Sequence, residues 1–231
     1  MMIYRALGAL LHYPDADLVE AAAEIGVVLD ADRRLTATTR AAVSRLVARL
    51  GASDLIEAQE IYVSQFDRSR SLSLHLFEHI HGESRDRGQA MVNLAAHYEA
   101  AGYRIDTREL PDYLPLFLEF LSLTADDEAN SLLGDVIHIL SAIRIRLERR
   151  GSDYGAIFAA LEDLAARKAP RAAVESLLEH DRAPAEEAAA IDEDWEEVPA
   201  FAGDGSCPAA RETLNRMAEF ALPTDHARDG V

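Results

Sequence analysis

One cysteine, Cys207, is all this chain contains, which excludes an internal disulfide and a cage of metal-bound thiolates. Long hydrophobic runs are missing too. No segment reaches the roughly 20 consecutive apolar residues that a membrane-spanning helix needs. The start, Met1 to Leu11, is a short apolar run broken by Arg5 and has no cleavage site. These absences point to a cytoplasmic chain with neither a signal peptide nor direct membrane insertion. Positive charge is scarce: 23 basic residues against 41 acidic ones give a net charge of −18. Such a surface repels phosphate backbones and anionic lipids, so nucleic acid is not an expected partner. Also absent are the alternating pattern of strands, an internal repeat, a His-Glu-x-x-His zinc-protease motif and a Gly-rich phosphate loop.

What is present is helical periodicity. The 231 residues are enough for one well-filled core, and the expected fold is all-α, a single globular bundle-like domain over residues 1–180. Ile3, Leu7, Leu10 and Leu11 share a face of a first helix, which the turn His12-Tyr13-Pro14-Asp15 ends. A second helix runs from about Asp15 to Leu29. Thr36 opens a third, with Val43, Leu46, Val47 and Leu50 inward and Gly51 as its stop. Asp54 or Ser53 caps a fourth, and Glu57 three residues on resembles a capping box. Late in the chain, Asp126-Asp127-Glu128 suits the positive end of a long helix with Leu133, Val136, Ile137, Leu140 and Leu147 inward and arginines at its far end. Gly151 stops that helix, Ser152 caps another through about Arg167, and Pro170 starts a last one ending near His180. Residues 181–231 carry the acidic run Asp192 to Glu197 and little apolar periodicity. This reads as an acidic, disordered tail, with a short helix possible at 209–222.

The most informative stretch is 62–123. A charged turn, Gly82 to Gly88, separates Leu72, Phe77 and Ile80 from Met91, Leu94, Ala95 and Tyr98, which recur at helical spacing. Ser84 or Asp86 is the expected N-cap there, and Gly102 the stop. Further on, Pro115 fits only a first helical turn, which makes Asp112 the expected N-cap and Tyr113 the first helical residue. The helix that follows is apolar nearly all round, with Leu114, Phe117, Leu118 and Leu121 on one side, Leu116, Phe120 and Leu123 on another, and Glu119 its only charge. A helix of that kind is buried or lines a groove.

Two chemical constellations deserve weighing. Glu78 and His81 have the Glu-x-x-His spacing of di-iron bundles, and Asp135 with His138 imitates it on another helix. A metal-dependent helical enzyme is the alternative this raises. The template wants two further bridging glutamates, and the simpler reading takes these residues, with His79, as structural. Asp67, Arg68, Arg70, Arg85, Asp86, Arg87, Arg104 and Asp106 could meet around a phosphate. Without a Gly-rich loop, ion pairing across a tight turn accounts for them better.

The segments HLFEHIHGESRDRGQAMV (75–92) and RELPDYLPLFLEFL (108–121) closely resemble the nitrate reductase molybdenum cofactor assembly chaperones, the NarJ family. The likeness covers roughly Tyr4 to His180 and is tightest over 62–123. It implies an all-helical cytoplasmic protein, not an enzyme and without a cofactor of its own, serving nitrate respiration and nitrate assimilation. The implied partner is the catalytic subunit of respiratory nitrate reductase, chiefly its N-terminal peptide, held competent until the molybdenum cofactor is inserted and before membrane assembly. The chaperone would act as a monomer or weak dimer. The wider group of redox-enzyme chaperones carries a Glu-Pro-x-Asp-His type motif, which Glu109, Pro111 and Asp112 match in place, with Tyr113 where that group has His. The expected peptide site combines Glu109, Asp112, Tyr113, Leu114, Phe117, Glu119 and Phe120 with Arg85 and Arg87 from the charged turn. Burial on the aromatic and leucine side chains would supply affinity, and the acids would orient a basic amphipathic helix.

Overall fold

A computed structural model describes residues 2–82 and 84–180, all of which fall in one compact unit. The expectations for residues 181–231, including Cys207 and the helix at 209–222, lie outside the described residues. Among the described residues every regular element is helical. They are α1 (Met2–Ala9), α2 (Ala16–Ala31), α3 (Ala37–Ala52), α4 (Leu55–Phe66), a 3₁₀ turn (Arg70–Leu72), α5 (Glu78–His81), α6 (Arg85–Ala100), α7 (Leu114–Leu123), α8 (Asp126–Arg149), α9 (Gly155–Leu164) and α10 (Arg171–His180). The nearest thing to a strand is one isolated antiparallel bridge between His75 and Tyr113.

Local chemistry sets several boundaries where the sequence placed them. Asp15, Thr36 and Asp54 each accept a backbone N–H from the third residue onward, at Leu18, Thr39 and Glu57, satisfying one of the open donors of a helix start. Gly102 (φ 87°) and Gly151 (φ 65°) stop α6 and α8. In both cases the glycine N–H bonds back to a carbonyl three residues earlier, Glu99 or Glu148, and the next N–H reaches Tyr98 or Leu147. That paired closure needs a left-handed residue, which glycine adopts without strain.

Four boundaries differ, the first being the end of α9, at Leu164 rather than near Arg167. Gly51 does not stop α3, which runs on to Ala52 because Leu50 is packed in the core and keeps the last turn in place. Ser152 does not cap α9; its N–H is used to close α8, and α9 starts three residues later. Asp112 does not cap α7 either. Tyr113 takes the cap position, Leu114 opens the helix and Pro115 follows in the first turn.

The core joins helices both consecutive and distant in sequence. α2 packs on α3, α3 and α8 both pack on α9, α10 lies against α8, and α1 lies against α7. Buried hydroxyls are tied into this packing: Tyr4 donates to Asn130 Oδ1 (2.7 Å) and Tyr62 to the Leu11 carbonyl (3.0 Å). Arg146 of α8 is 7% exposed and donates to the carbonyls of Ser71 and Leu177, at 2.9 and 2.8 Å. It also faces His79 Nδ1 at 3.3 Å, while His79 Nε2 lies 2.8 Å from the Ser73 carbonyl. A carbonyl can only accept and a guanidinium can only donate, so Nε2 donates to Ser73 and Nδ1 accepts from Arg146. No described helix is long and apolar enough to cross a membrane.

Candidate partner-binding site

The central helix α7 is anchored by a carboxylate. Asp112 is fully buried, and its backbone and side chain serve different neighbours. Its carbonyl accepts the Leu76 N–H (3.0 Å), and the adjacent Leu114 N–H reaches the Leu74 carbonyl (2.8 Å). Its side chain accepts the Phe77 N–H (3.1 Å), lies 3.3 Å from His75 Nδ1 and 3.9 Å from the Arg87 guanidinium. Arg87 also pairs with Glu78 at 3.0 Å. One acid therefore fastens the start of α7 to the entry of α5 and the first turn of α6.

Electrostatics follow from that geometry. Burial alone would push the Asp112 carboxyl upward, but the His75 and Phe77 hydrogen bonds, with the charges of His75 and Arg87, hold it below its ordinary value. His75 is raised, first by its hydrogen bond to Asp112 and against the pull of desolvation. Tyr113 is raised by burial, with the charge of Glu109 adding to the effect.

The anticipated site residues fall into four groups. Arg87, Asp112 and, through His75, Tyr113 are brought together at the foot of α7. The His75 and Tyr113 rings are 5.4 Å apart. Leu114 (0% exposed) and Phe117 (3%) face the core and offer no open surface. Glu119 is exposed on the far side of α7, next to Phe120, which sits beneath the end of α6 with its ring 4.5 Å from Tyr98 and 5.7 Å from His97. Arg85 and Glu109 are exposed.

One cleft borders α7 and a second lies at its foot. The first, about 220 Å³, lies between α7 and the loop after α6; Tyr98, Tyr103, Ile105, Leu116, Phe120 and Leu123 form its apolar walls, and Arg104, Asp106 and Glu119 lie at its edge. The other, about 380 Å³, is aromatic and includes Tyr113 and His75. Tyr103, Ile105, Leu116 and Leu123 were not anticipated as site residues. The signal was present for Leu116 and Leu123, which form the second stripe of α7. Nothing in the local pattern of the loop foretold that Tyr103 would fold back to donate to the Leu123 carbonyl (3.1 Å).

The alternative constellations are dispersed. Glu78 is taken up by Arg87, and Asp135 forms an ion pair with Arg167. His81 lies edge-on to Phe77, and burial lowers the pKa of His138. Among the described residues no group of three or more His, Cys, Asp or Glu is placed to hold a metal ion. Of the arginines considered for phosphate, Arg104 borders the apolar cleft, Arg70 a separate hollow beside Arg146, and Arg87 faces carboxylates.

Fold and anchoring define a class first: an all-α protein built round a central helix pinned by a buried aspartate, with one cleft along the helix and another at its foot. Comparison with known proteins is more specific. Residues 32–160, more than half of the chain, match the family model described as nitrate reductase delta subunit. Over 156 residues the chain is 44% identical to the nitrate reductase molybdenum cofactor assembly chaperone NarJ of Escherichia coli (strain K12), a match covering 68% of this chain and 66% of that protein. It is 42% identical over 165 residues to the probable chaperone of the same kind, NarW, from that strain, covering 71% and 68%. A probable NarJ of Bacillus subtilis (strain 168) is 32% identical over 121 residues, 51% of this chain and 66% of that one. The chain belongs to the nitrate reductase delta subunit family, and these three relatives are named as assembly chaperones. The match thus spans just under two thirds of the length of the first of these relatives.

Proposed function

We propose that this protein is a maturation chaperone for respiratory nitrate reductase. It binds the catalytic subunit, chiefly through that subunit's N-terminal peptide, and keeps it open to molybdenum cofactor insertion before the enzyme assembles at the membrane. The relatives' names support the general role. The observation that carries the peptide-binding part is the surface formed by α6 and α7. α6 is a 16-residue helix that buries only Tyr98, leaves Val92 62% exposed, and stands beside the apolar cleft. A helix that contributes so little to the core is available for an apolar partner.

The cleft is too small for a whole helix, which is about 10 Å across with its side chains. It has room for apolar anchors from a helix lying across its mouth. Leu116, Phe120 and Leu123 would receive them, while Glu119 and the net charge of −18 would draw in and orient a basic face. Arg87 and Asp112 fix the start of α7 and thereby the cleft's shape, and Glu109 and Arg85 lie at the exposed margin. Leu114 and Phe117 support the wall from the core side.

The role is tested by expressing the catalytic subunit with and without this chain and measuring its molybdenum. The expected result is that the subunit co-purifies with the chain and contains molybdenum only when the chain is present. Full molybdenum content in its absence would reject the role.

A further inference from the structure

The aromatic cleft at the foot of α7 has a chemistry of its own. It encloses about 380 Å³ where the last turn of α4 meets the His75 segment and the start of α7, and its walls include Tyr13, Tyr62, Phe66, Asp67, His75 and Tyr113. The rings are mutually packed: Tyr13 and Tyr62 stand perpendicular at 5.7 Å, and Tyr62 and Phe66 are 5.0 Å apart. Across the pocket, His75 and Tyr113 pair at 5.4 Å.

Its charge is one-sided. α4 ends here, with Phe66 its last residue and Asp67 its C-cap, and no basic residue occupies its last turn. The negative end of the helix and the exposed Asp67 carboxylate therefore act in the same sense. Arg68 follows in the chain but does not line the pocket. His75 does line it, but it is turned to the buried Asp112 at 3.3 Å, which leaves the α4 end as the negative side of the pocket.

We propose that this pocket is a cation seat, taking the guanidinium of an arginine side chain presented by a bound polypeptide. Aromatic walls attract cations through the ring quadrupole. Guanidinium is favoured over ammonium because it is planar, weakly hydrated, stacks on rings and forks onto a carboxylate. Which polypeptide carries the arginine rests on the chaperone reading; the seat itself does not.

The test titrates N-acetyl-arginine methylamide, and separately its uncharged citrulline analogue, into the full chain with ring-labelled tyrosines followed by nuclear magnetic resonance. The chain has seven tyrosines, of which Tyr13, Tyr62 and Tyr113 border the pocket. The expected result is saturable shifts confined to those three, with the arginine compound binding about fivefold more tightly than the citrulline one. Asp67→Asn should shrink that preference, and Tyr13→Leu should weaken arginine binding about threefold or more; Tyr13 is 52% exposed, so the fold does not depend on it. Equal shifts from both compounds, shifts on the other tyrosines, or no saturation would overturn the proposal. Each of those results leaves binding of the nitrate reductase peptide at the other cleft untouched, so the two claims fail separately.

Discussion

Asp112 shows how much a single residue can decide. The sequence places an acid before an apolar helix, and a cap is the ordinary reading of that pattern. In the structure its carboxylate instead serves His75, the Phe77 N–H and Arg87 from a fully buried position. Asp112→Ala would orphan the Phe77 donor and leave Arg87 with Glu78 alone, at a cost of about 3 kcal/mol in urea unfolding. The pH dependence has a definite sign. Because the Asp112 pKa is lowered on folding, its contribution is present above the unfolded carboxylate pKa and is lost as pH falls through the folded one. His75 is raised, so its contribution is full below the unfolded histidine pKa and is lost as pH rises through its folded value. His138, lowered by burial, runs the other way and costs stability as pH falls from the unfolded value toward the folded one. Across neutral pH the two histidines therefore oppose each other. In Asp112→Asn the His75 part should vanish, so that the variant's stability rises with pH over that range more steeply than the wild type's. Parallel curves for wild type and variant would refute the coupling.

At the scale of elements, legibility depended on whether a signal was local. The caps Asp15, Thr36 and Asp54, the stops Gly102 and Gly151, and the inward stripe of α8 each need only neighbours a turn away. The misread positions, Gly51, Ser152 and Asp112, were decided by partners on other elements or by a neighbouring helix end. The candidate site was half legible for the same reason. The apolarity of α7 showed that the helix mattered, but which of its faces is open depends on how α1 and α6 lie against it. Leu114 and Phe117 thus became core, and Leu116 and Leu123 became surface. α6 is the least embedded of the long helices, with one buried residue in 16, whereas α8 buries 11 of 24. Hydrogen exchange should therefore release the α6 amides well before those of α8, by about tenfold or more in rate. Addition of the bound peptide should slow α6 and leave α8 unchanged. Equal protection of the two helices in the free protein would remove the argument that α6 is held ready for a partner.

The whole molecule joins two properties that its sequence already contains: an excess of acid and an apolar central helix. The acid repels nucleic acid and anionic lipid and attracts a basic segment over several ångströms. The apolar cleft supplies the short-range affinity. Buried Phe117 is a poor probe of this, since its truncation would leave a cavity and loosen the core. Leu116 and Leu123 are better ones, half-buried and exposed respectively, and both border the cleft. The most direct measurement is calorimetric titration of the catalytic subunit's N-terminal peptide into wild type and into the Leu116→Ala/Leu123→Ala variant, at low and at high salt. The account predicts binding that weakens with salt in wild type, and a loss of about tenfold in affinity in a variant that stays folded, equivalent to roughly 1.4 kcal/mol. Unchanged affinity in the folded variant, together with salt-independent binding in wild type, would contradict it.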